Sequence, residues 1–298
     1  GPRINAAGRL TDARAVVDLI QERDPRRARA KALALDRLNQ QRQTIQRKLT
    51  TQCIQQIDEE PPPFVLMWGT EAEGWHPGVV GIVASKVRSE AHRPTAIVSV
   101  PDNPDALARG SVRSIPGVHA VQALESGSDL LDRFGGHPAA AGFSIQREHL
   151  PQLHQALCAW MDTNVDAASF IPELAFDAEC TLEELTHQMA EAISRLGPFG
   201  KGNAEPRLLV RGVQPTHVRP LKERHVKLQC GGIDAIWWGG APHISVLDGP
   251  VDVVFSLGFN HWRGRRTLQI TVVDVRSLQS SADSPPDPSP PLHLAPTE

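Results

Sequence analysis

The run Phe134-Gly135-Gly136-His137-Pro138-Ala139-Ala140-Ala141-Gly142 gathers groups suited to an anion. Gly135 and Gly136 carry no Cβ, so their backbone amides can come close to a ligand. His137 adds an imidazole that donates a hydrogen bond or a charge to an oxyanion. The alanines and Gly142 that follow add little bulk. A phosphate-sized anion beside a reactive centre fits this segment; a tight turn with an exposed histidine is the other reading. Upstream, Gly110-Ser111-Val112-Arg113-Ser114 sets Ser111 and Arg113 two residues apart, on one face of an extended strand. A hydroxyl beside a guanidinium makes a phosphate clamp in which the arginine donates two hydrogen bonds. An edge-strand arginine in water is the alternative, and the Gly-Gly-His run tips the balance toward an anion site.

Other segments mix aromatic and basic groups. In Gly74-Trp75-His76-Pro77-Gly78-Val79-Val80-Gly81, Trp75 and His76 stand where a loop enters an apolar helix. A helix N-terminus favours negative charge. Trp75 either stacks a base there or plugs the core. Farther on, Pro198-Phe199-Gly200-Lys201-Gly202-Asn203 reads as a flexible basic loop, and His225 and Lys227 share a strand face. His261-Trp262-Arg263-Gly264-Arg265-Arg266 reads as a basic hairpin tip with an indole. Aromatic rings among cations suit single-stranded nucleic acid, bases stacking while phosphates pair; such tips also serve solubility. No Asp-His-His, Asp-x-Asp or His-x-x-Glu-His cluster is present for hard divalent cations, and no phosphate loop of the Gly-x-x-x-x-Gly-Lys-Ser/Thr type.

The elements that must position these groups follow from pattern. Asp24 before Pro25 is a helix start, and neither glycine nor proline interrupts the chain again until Pro61. Apolar residues at three- and four-residue steps then predict one helix of roughly 34 residues, on the order of 50 Å long. A rod with a single apolar stripe usually joins two domains. Strands are expected at 64–68, 95–100, 109–113 and 141–145, with helices at 79–90, 118–125 and 148–161, an α/β pattern. A third unit begins near Phe170 with a strand at 174–177 and a capping box, Thr181-Leu182-Glu183-Glu184, opening a helix to Leu196. Six strands follow, at 208–210, 214–218, 225–229, 233–238, 251–257 and 267–275. Their close spacing predicts a small β-barrel of the oligonucleotide-binding type, with a β-sandwich as the alternative.

Composition places the chain among globular proteins, with 40% hydrophobic and 22% charged residues. No apolar run approaches the roughly 20 residues that cross a bilayer. The formal net charge is −3, yet residues 1–50 hold twelve Lys/Arg against five Asp/Glu. A basic segment on an acidic chain suits a polyanion or is simply a solvated helix face. The four dispersed cysteines argue against a disulfide framework or zinc site and for a reducing cytoplasm. Residues 1–10 read like the interior of a larger domain, so a longer protein is expected.

Four segments, residues 1–9, 75–86, 110–114 and 135–142, together resemble the RecJ family of bacterial exonucleases in the DHH phosphoesterase superfamily. Pro198-Phe199-Gly200-Lys201-Gly202-Asn203-Ala204-Glu205-Pro206 resembles the loop entering that family's oligonucleotide-binding (OB) domain. The resemblance implies that 1–23 ends a DHH domain and 24–60 is a long connecting helix. It places a DHH-associated α/β domain at 61–168 and an OB-fold-like domain at 169–278; the proline-, serine- and aspartate-rich composition of 279–298 predicts a disordered tail. It also implies 5′-to-3′ degradation of single-stranded DNA by metal-dependent phosphodiester hydrolysis, with Mn²⁺ or Mg²⁺, in recombination and repair. In the family the DHH domain holds the metals. Its motifs are not in this chain, so the chain alone is expected to bind no metal and to lack activity, supplying phosphate and strand binding. Ser111, Arg113 and His137 would hold phosphates near the scissile bond, with Gly135 and Gly136 beside them. Asn5 and Arg9 would approach from the DHH side, and Lys227, Trp262 and Arg263 would guide the strand. The implied partner is single-stranded DNA, with no membrane and a monomeric state. The alternatives are a stand-alone single-strand-binding module and a phosphodiesterase for short oligonucleotides.

Overall fold

The computed structural model describes residues 1–278, which form two compact units, Gly1–Pro172 and the chain from Glu173 onward. The expected disordered tail at 279–298 lies outside the described residues. Two short helices, α1 (Pro2–Leu10) and α2 (Arg14–Ile20), open the first unit ahead of α3 (Pro25–Ile54). The start of α3 is the one its sequence dictates: Asp24 accepts hydrogen bonds from the amides of Arg26 and Arg27 at 2.8 and 3.2 Å. Its apolar stripe divides. Leu35 packs with Ala7 of α1 and Val16 of α2, while Leu49 and Cys53 join Val79 and Val83 of a later helix. The helix stops at Ile54, short of the expected Glu60. Bonds of the i→i−3 kind tighten its end, from the amides of Gln56 and Ile57. Beyond them Asp58-Glu59-Glu60 would put three carboxylates at the negative end of the helix dipole.

A five-stranded sheet follows, built from β1 (Val65–Thr70), β2 (Thr95–Val100), β3 (Ala108–Arg113), β4 (Leu131–His137) and β5 (Ala140–Ile145). Its order is β1-β2-β3-β5-β4; β1 and β2 run parallel, joined through α4 (Pro77–Ala91), and the other pairs are antiparallel. One face carries Leu66, Val98, Val112, Ala141 and Phe143 into a core closed by α5 (Ala120–Glu125) and α6 (Leu150–Asn164). On the other face α4 lays Val79, Val83 and Val87 over Val65 and Ile97. The six residues of β2 are all buried, as a strand covered on both faces must be. Helix α4 reaches no farther than β3, and the same face of β5 and β4 is open.

The Gly-Gly-His run rules out the alternative reading of a tight turn. It is the edge strand β4, paired as Gly135↔Gly142, Gly136↔Ala141 and His137↔Ala140. Asp132, Arg133 and two glycines are poor strand formers, and pairing to β5 overrides that local preference.

In the second unit the strand order is β6-β7-β11-β12-β10-β9-β8. The strands are β6 (Ala178–Glu179), β7 (Leu208–Val213), β8 (Thr216–Leu221), β9 (His225–Cys230), β10 (Ile233–Trp237), β11 (Val251–Trp262) and β12 (Arg265–Ser277). Among the described residues no hydrogen-bonded pairing joins β8 back to β6, so the expected barrel is an open ladder curled over Val226, Leu228, Phe255, Leu257 and Ile270. The first strand falls at β6 rather than at 174–177. The expected helix begins only at α7 (His187–Arg195), capped by Thr186 instead of Thr181. Half of the capping box does form, with the Thr181 amide donating to Glu184 at 2.7 Å, but Leu185 is drawn into the sheet core and ends that turn.

Asp252 is the polar anchor of this unit. Only 3% exposed, it accepts from Arg276 at 2.6 Å and from the Gly212 amide at 3.1 Å, with Arg211 at 3.5 Å. It thereby ties β7, β11 and β12 together. Replacing Asp252 by alanine leaves the Gly212 amide without its acceptor. The expected loss is about 2 kcal/mol in a denaturant titration, and an unchanged midpoint would show that the anchor contributes nothing.

Candidate nucleic-acid interface

Register sorts the open half of the five-stranded sheet into three rows. Residues directly opposite one another on antiparallel strands put their side chains on the same face. Arg113 of β3, Ala140 of β5 and His137 of β4 make one row; Ser111, Gly142 and Gly135 the next; Arg109, Ser144 and Arg133 the third. Basic groups therefore stand at the four corners, and glycine, alanine and serine form the floor between them. Arg113 and His137 share a face, two strand spacings or about 10 Å apart. Built Cβ atoms show how the glycines differ. Above Gly135 lies open space, whereas a Cβ on Gly136, whose φ is +152°, would meet the Ala140 carbonyl at 2.4 Å. Gly135 keeps the floor clear; Gly136 lets β5 come close.

Arg113 donates to the Ser111 hydroxyl at 2.9 Å and to the Val112 carbonyl at 2.7 Å, so the pairing expected from their spacing is made. Gly81 of α4 lies against both, and a Cβ there would stand 3.0 Å from each. One turn earlier in α4, a Cβ on Gly78 would collide with the Arg9 carbonyl at 1.8 Å, so only glycine allows α1 to seat. The Arg9 guanidinium reaches over the same residue to donate to the Gly78 carbonyl at 3.1 Å. Helix α1 thus delivers Arg9 beside Arg113. Burial first, and then the charge of Arg9, pull the Arg113 guanidinium below its ordinary pKa. Among the described residues neither arginine has a carboxylate partner. Two cations held together in this way favour a bound anion.

The remaining expected residues divide. Asn5 stands one turn before Arg9 on the exposed side of α1, on the same helix face. Trp75 is 2% exposed, its indole against Gly69 in the α4 core, so it plugs the core and is not placed to stack a base. His76 caps α4, its Nδ1 accepting from the Gly78 amide at 3.0 Å. The Val79 and Val80 amides turn back to the His76 carbonyl, so this helix N-terminus offers no free anion cradle. In the second unit, Lys227 is neutralised by Asp234 at 2.7 Å. Trp262 is 68% exposed at the tip of the β11–β12 hairpin, with the Arg263 guanidinium 5.7 Å from its ring centroid. Arg263 and Gly264 both have positive φ, 48° and 75°, as a two-residue type I′ turn requires. The expected flexible loop at 198–203 is tied down, Asn203 donating to the Leu196 and Pro198 carbonyls.

Sequence reasoning missed Arg109, Arg133 and the two α4 glycines. The alternation Arg109-x-Ser111-x-Arg113 carried the signal for the first; Arg133 required knowing that β4 is a strand. Among the described residues no group of three or more His, Cys, Asp or Glu is placed to hold a metal ion. No helix among the described residues is long and apolar enough to cross a membrane.

The floor makes a direct prediction. Gly135→Val should leave the denaturation midpoint within about 0.5 kcal/mol of the parent while abolishing anion binding in a phosphate titration. Gly136→Ala should instead destabilise the fold. Equal effects of the two substitutions would show that the open space above Gly135 has no role.

Comparisons with known proteins extend this picture. A DHHA1 domain model matches residues 63–163, and a RecJ OB domain model matches residues 176–274. The single-stranded-DNA-specific exonuclease RecJ of Bacillus subtilis is 31% identical over 92% of this chain. Two crystal structures of RecJ from Thermus thermophilus, in complex with Mn²⁺ and with Mg²⁺, cover 92% of the chain at 33% and 32% identity, with TM-scores of 0.79 and 0.78. The chain spans only 36% of the Bacillus relative and 40% and 42% of the Thermus chains. A DHHA1 domain followed by a RecJ OB domain, with similarity to RecJ along nearly its whole length, makes the chain similar to the C-terminal portion of RecJ exonucleases.

Proposed function

We propose that this chain is the phosphate- and strand-binding part of a RecJ-like exonuclease that degrades single-stranded DNA from the 5′ end in recombination and repair. One observation carries the reading: Arg9 and Arg113 stand together without a carboxylate, beside Ser111 and on the same sheet face as His137. A bridging phosphate would satisfy both guanidiniums. Arg9, Ser111 and Arg113 form the clamp, His137 closes it from the edge strand, and the glycine floor admits the backbone of the strand. Asn5 extends the clamp along α1.

In the second unit the exposed Trp262 and Arg263 provide a stacking surface and a cation for the strand. Lys227, held by Asp234, contributes less. The Mn²⁺ or Mg²⁺ present in the Thermus structures would be held by residues outside this chain, and hydrolysis would take place there. The chain by itself is then a binder without turnover. A monomer working on single strands in the cytoplasm completes the reading, supported by four cysteines that are all free thiols.

Fluorescence titration with a single-stranded oligonucleotide tests it. Binding should weaken steeply as salt rises, because phosphate contacts release counterions, and Arg113→Ala should weaken it at least tenfold. In the longer protein the same substitution should lower kcat/KM on single-stranded DNA by about 100-fold or more. Binding and turnover left at parental levels by Arg113→Ala would overturn the assignment.

A further inference from the structure

Along the open sheet face, one row beyond Ser111, lies a cavity of about 710 Å³ at the start of α4. Its size is that of a small-molecule site. Arg109 and Arg133 of the third row line it, together with Ser144 and Asp132, and Pro101 and Leu107 form an apolar side. Beneath Arg109 in the register is Ser99 of β2, only 1% exposed, which also lines the cavity. The Ser99 hydroxyl is buried and has no hydrogen-bond partner. An orphaned hydroxyl of this kind is costly unless a ligand completes it.

The lining says what the ligand is. Arg109 and Arg133 are matched by two carboxylates, Glu71 and Asp132; Asp132 accepts from Ser144 at 3.1 Å and lies 3.8 Å from Arg133. A second phosphate would face both carboxylates, so the balance of charge argues against it. A nucleobase with its sugar presents donors and acceptors together, and a flat apolar face for the proline and leucine side. Arg109 precedes Ser111 on the strand at a distance of about 7 Å, within reach of a nucleoside whose phosphate lies on the clamp.

We infer that this cavity is a nucleoside subsite, in which Ser99, Arg109 and Asp132 hydrogen-bond the base and sugar attached to the phosphate held by Arg9, Ser111 and Arg113. The inference rests on the phosphate clamp proposed above, and its test separates the two. The chain is titrated with inorganic phosphate, deoxyribose 5-phosphate and deoxyadenosine 5′-monophosphate, with binding read from NMR chemical shifts. The nucleotide should bind at least tenfold more tightly than phosphate, with the sugar phosphate between them. Ser99→Ala and Arg109→Ala should each reduce the nucleotide-to-phosphate ratio at least threefold while phosphate affinity holds, and Arg113→Ala should weaken all three probes.

Equal affinity for nucleotide and phosphate in the parent chain overturns the subsite, as does a ratio that neither Ser99→Ala nor Arg109→Ala changes. Should phosphate binding survive Arg113→Ala while Arg109→Ala still lowers the ratio, the clamp falls and the subsite stands. Failure of all three probes to bind removes both.

Discussion

Holding two guanidinium groups in each other's field, one of them half-buried, is unfavourable, and the first unit is arranged to sustain it. The arrangement depends on α1 meeting α4 at Gly78, where backbone touches backbone and any side chain would intervene. That contact fixes the end of α1 and, with it, Arg9. Gly81 then makes room for Arg113 and Ser111 under the same helix. Helix α3 supports the seat from behind: Arg3 of α1 pairs with Asp36 at 2.6 Å, while Ala7 packs with Leu35. Apart from that ion pair the anchoring is apolar and steric, which leaves Arg9 and Arg113 without a carboxylate. In electrostatic terms the paired guanidiniums are frustrated, and a phosphate between them would relieve it.

Sheet coverage sets the shape of the rest. A helix over the whole sheet would have buried β4 and β5 and required apolar residues on both faces. Because α4 ends its reach at β3, the far strands follow two different rules at once. Ala141, Phe143 and Phe134 face the core, and Gly142, Gly135 and His137 face outward. The outward residues are small or polar for want of a covering helix, and that produces a flat lane along the arginine corners. The same geometry brings the orphaned Ser99 hydroxyl to the edge of the lane.

Much of this was legible in the residues. Strand β2 and the Ser111–Arg113 pairing follow from apolar runs and two-residue spacing, and the start of α3 from Asp24-Pro25. The Gly-Gly-His run stood out by its residue types, but its place in an edge strand did not. Gly135 and Gly136 carry no strand preference, and their pairing partner lies in β5, so no local signal could place them in a strand. Trp75 illustrates the opposite failure. Beside His76 and before an apolar helix it reads as a stacking surface or as a plug, the commoner role of a lone tryptophan, and burial against Gly69 decides for the plug. In the second unit the capping box at Thr181 is a sound local signal, yet burial of Leu185 outweighs it. Sequence gives the residue types that a site requires; which of them meet depends on register and on the glycine contacts between elements.

The central claim, that Arg9 and Arg113 form one anion-binding pair, is most directly read from the arginine side-chain Nε–Hε resonances of this chain while inorganic phosphate is added. The Arg9 and Arg113 signals should shift together, with a single dissociation constant, while those of Arg211 and Arg276, engaged by Asp252, stay in place. Independent titration of the two, or a response confined to other arginines, would contradict it.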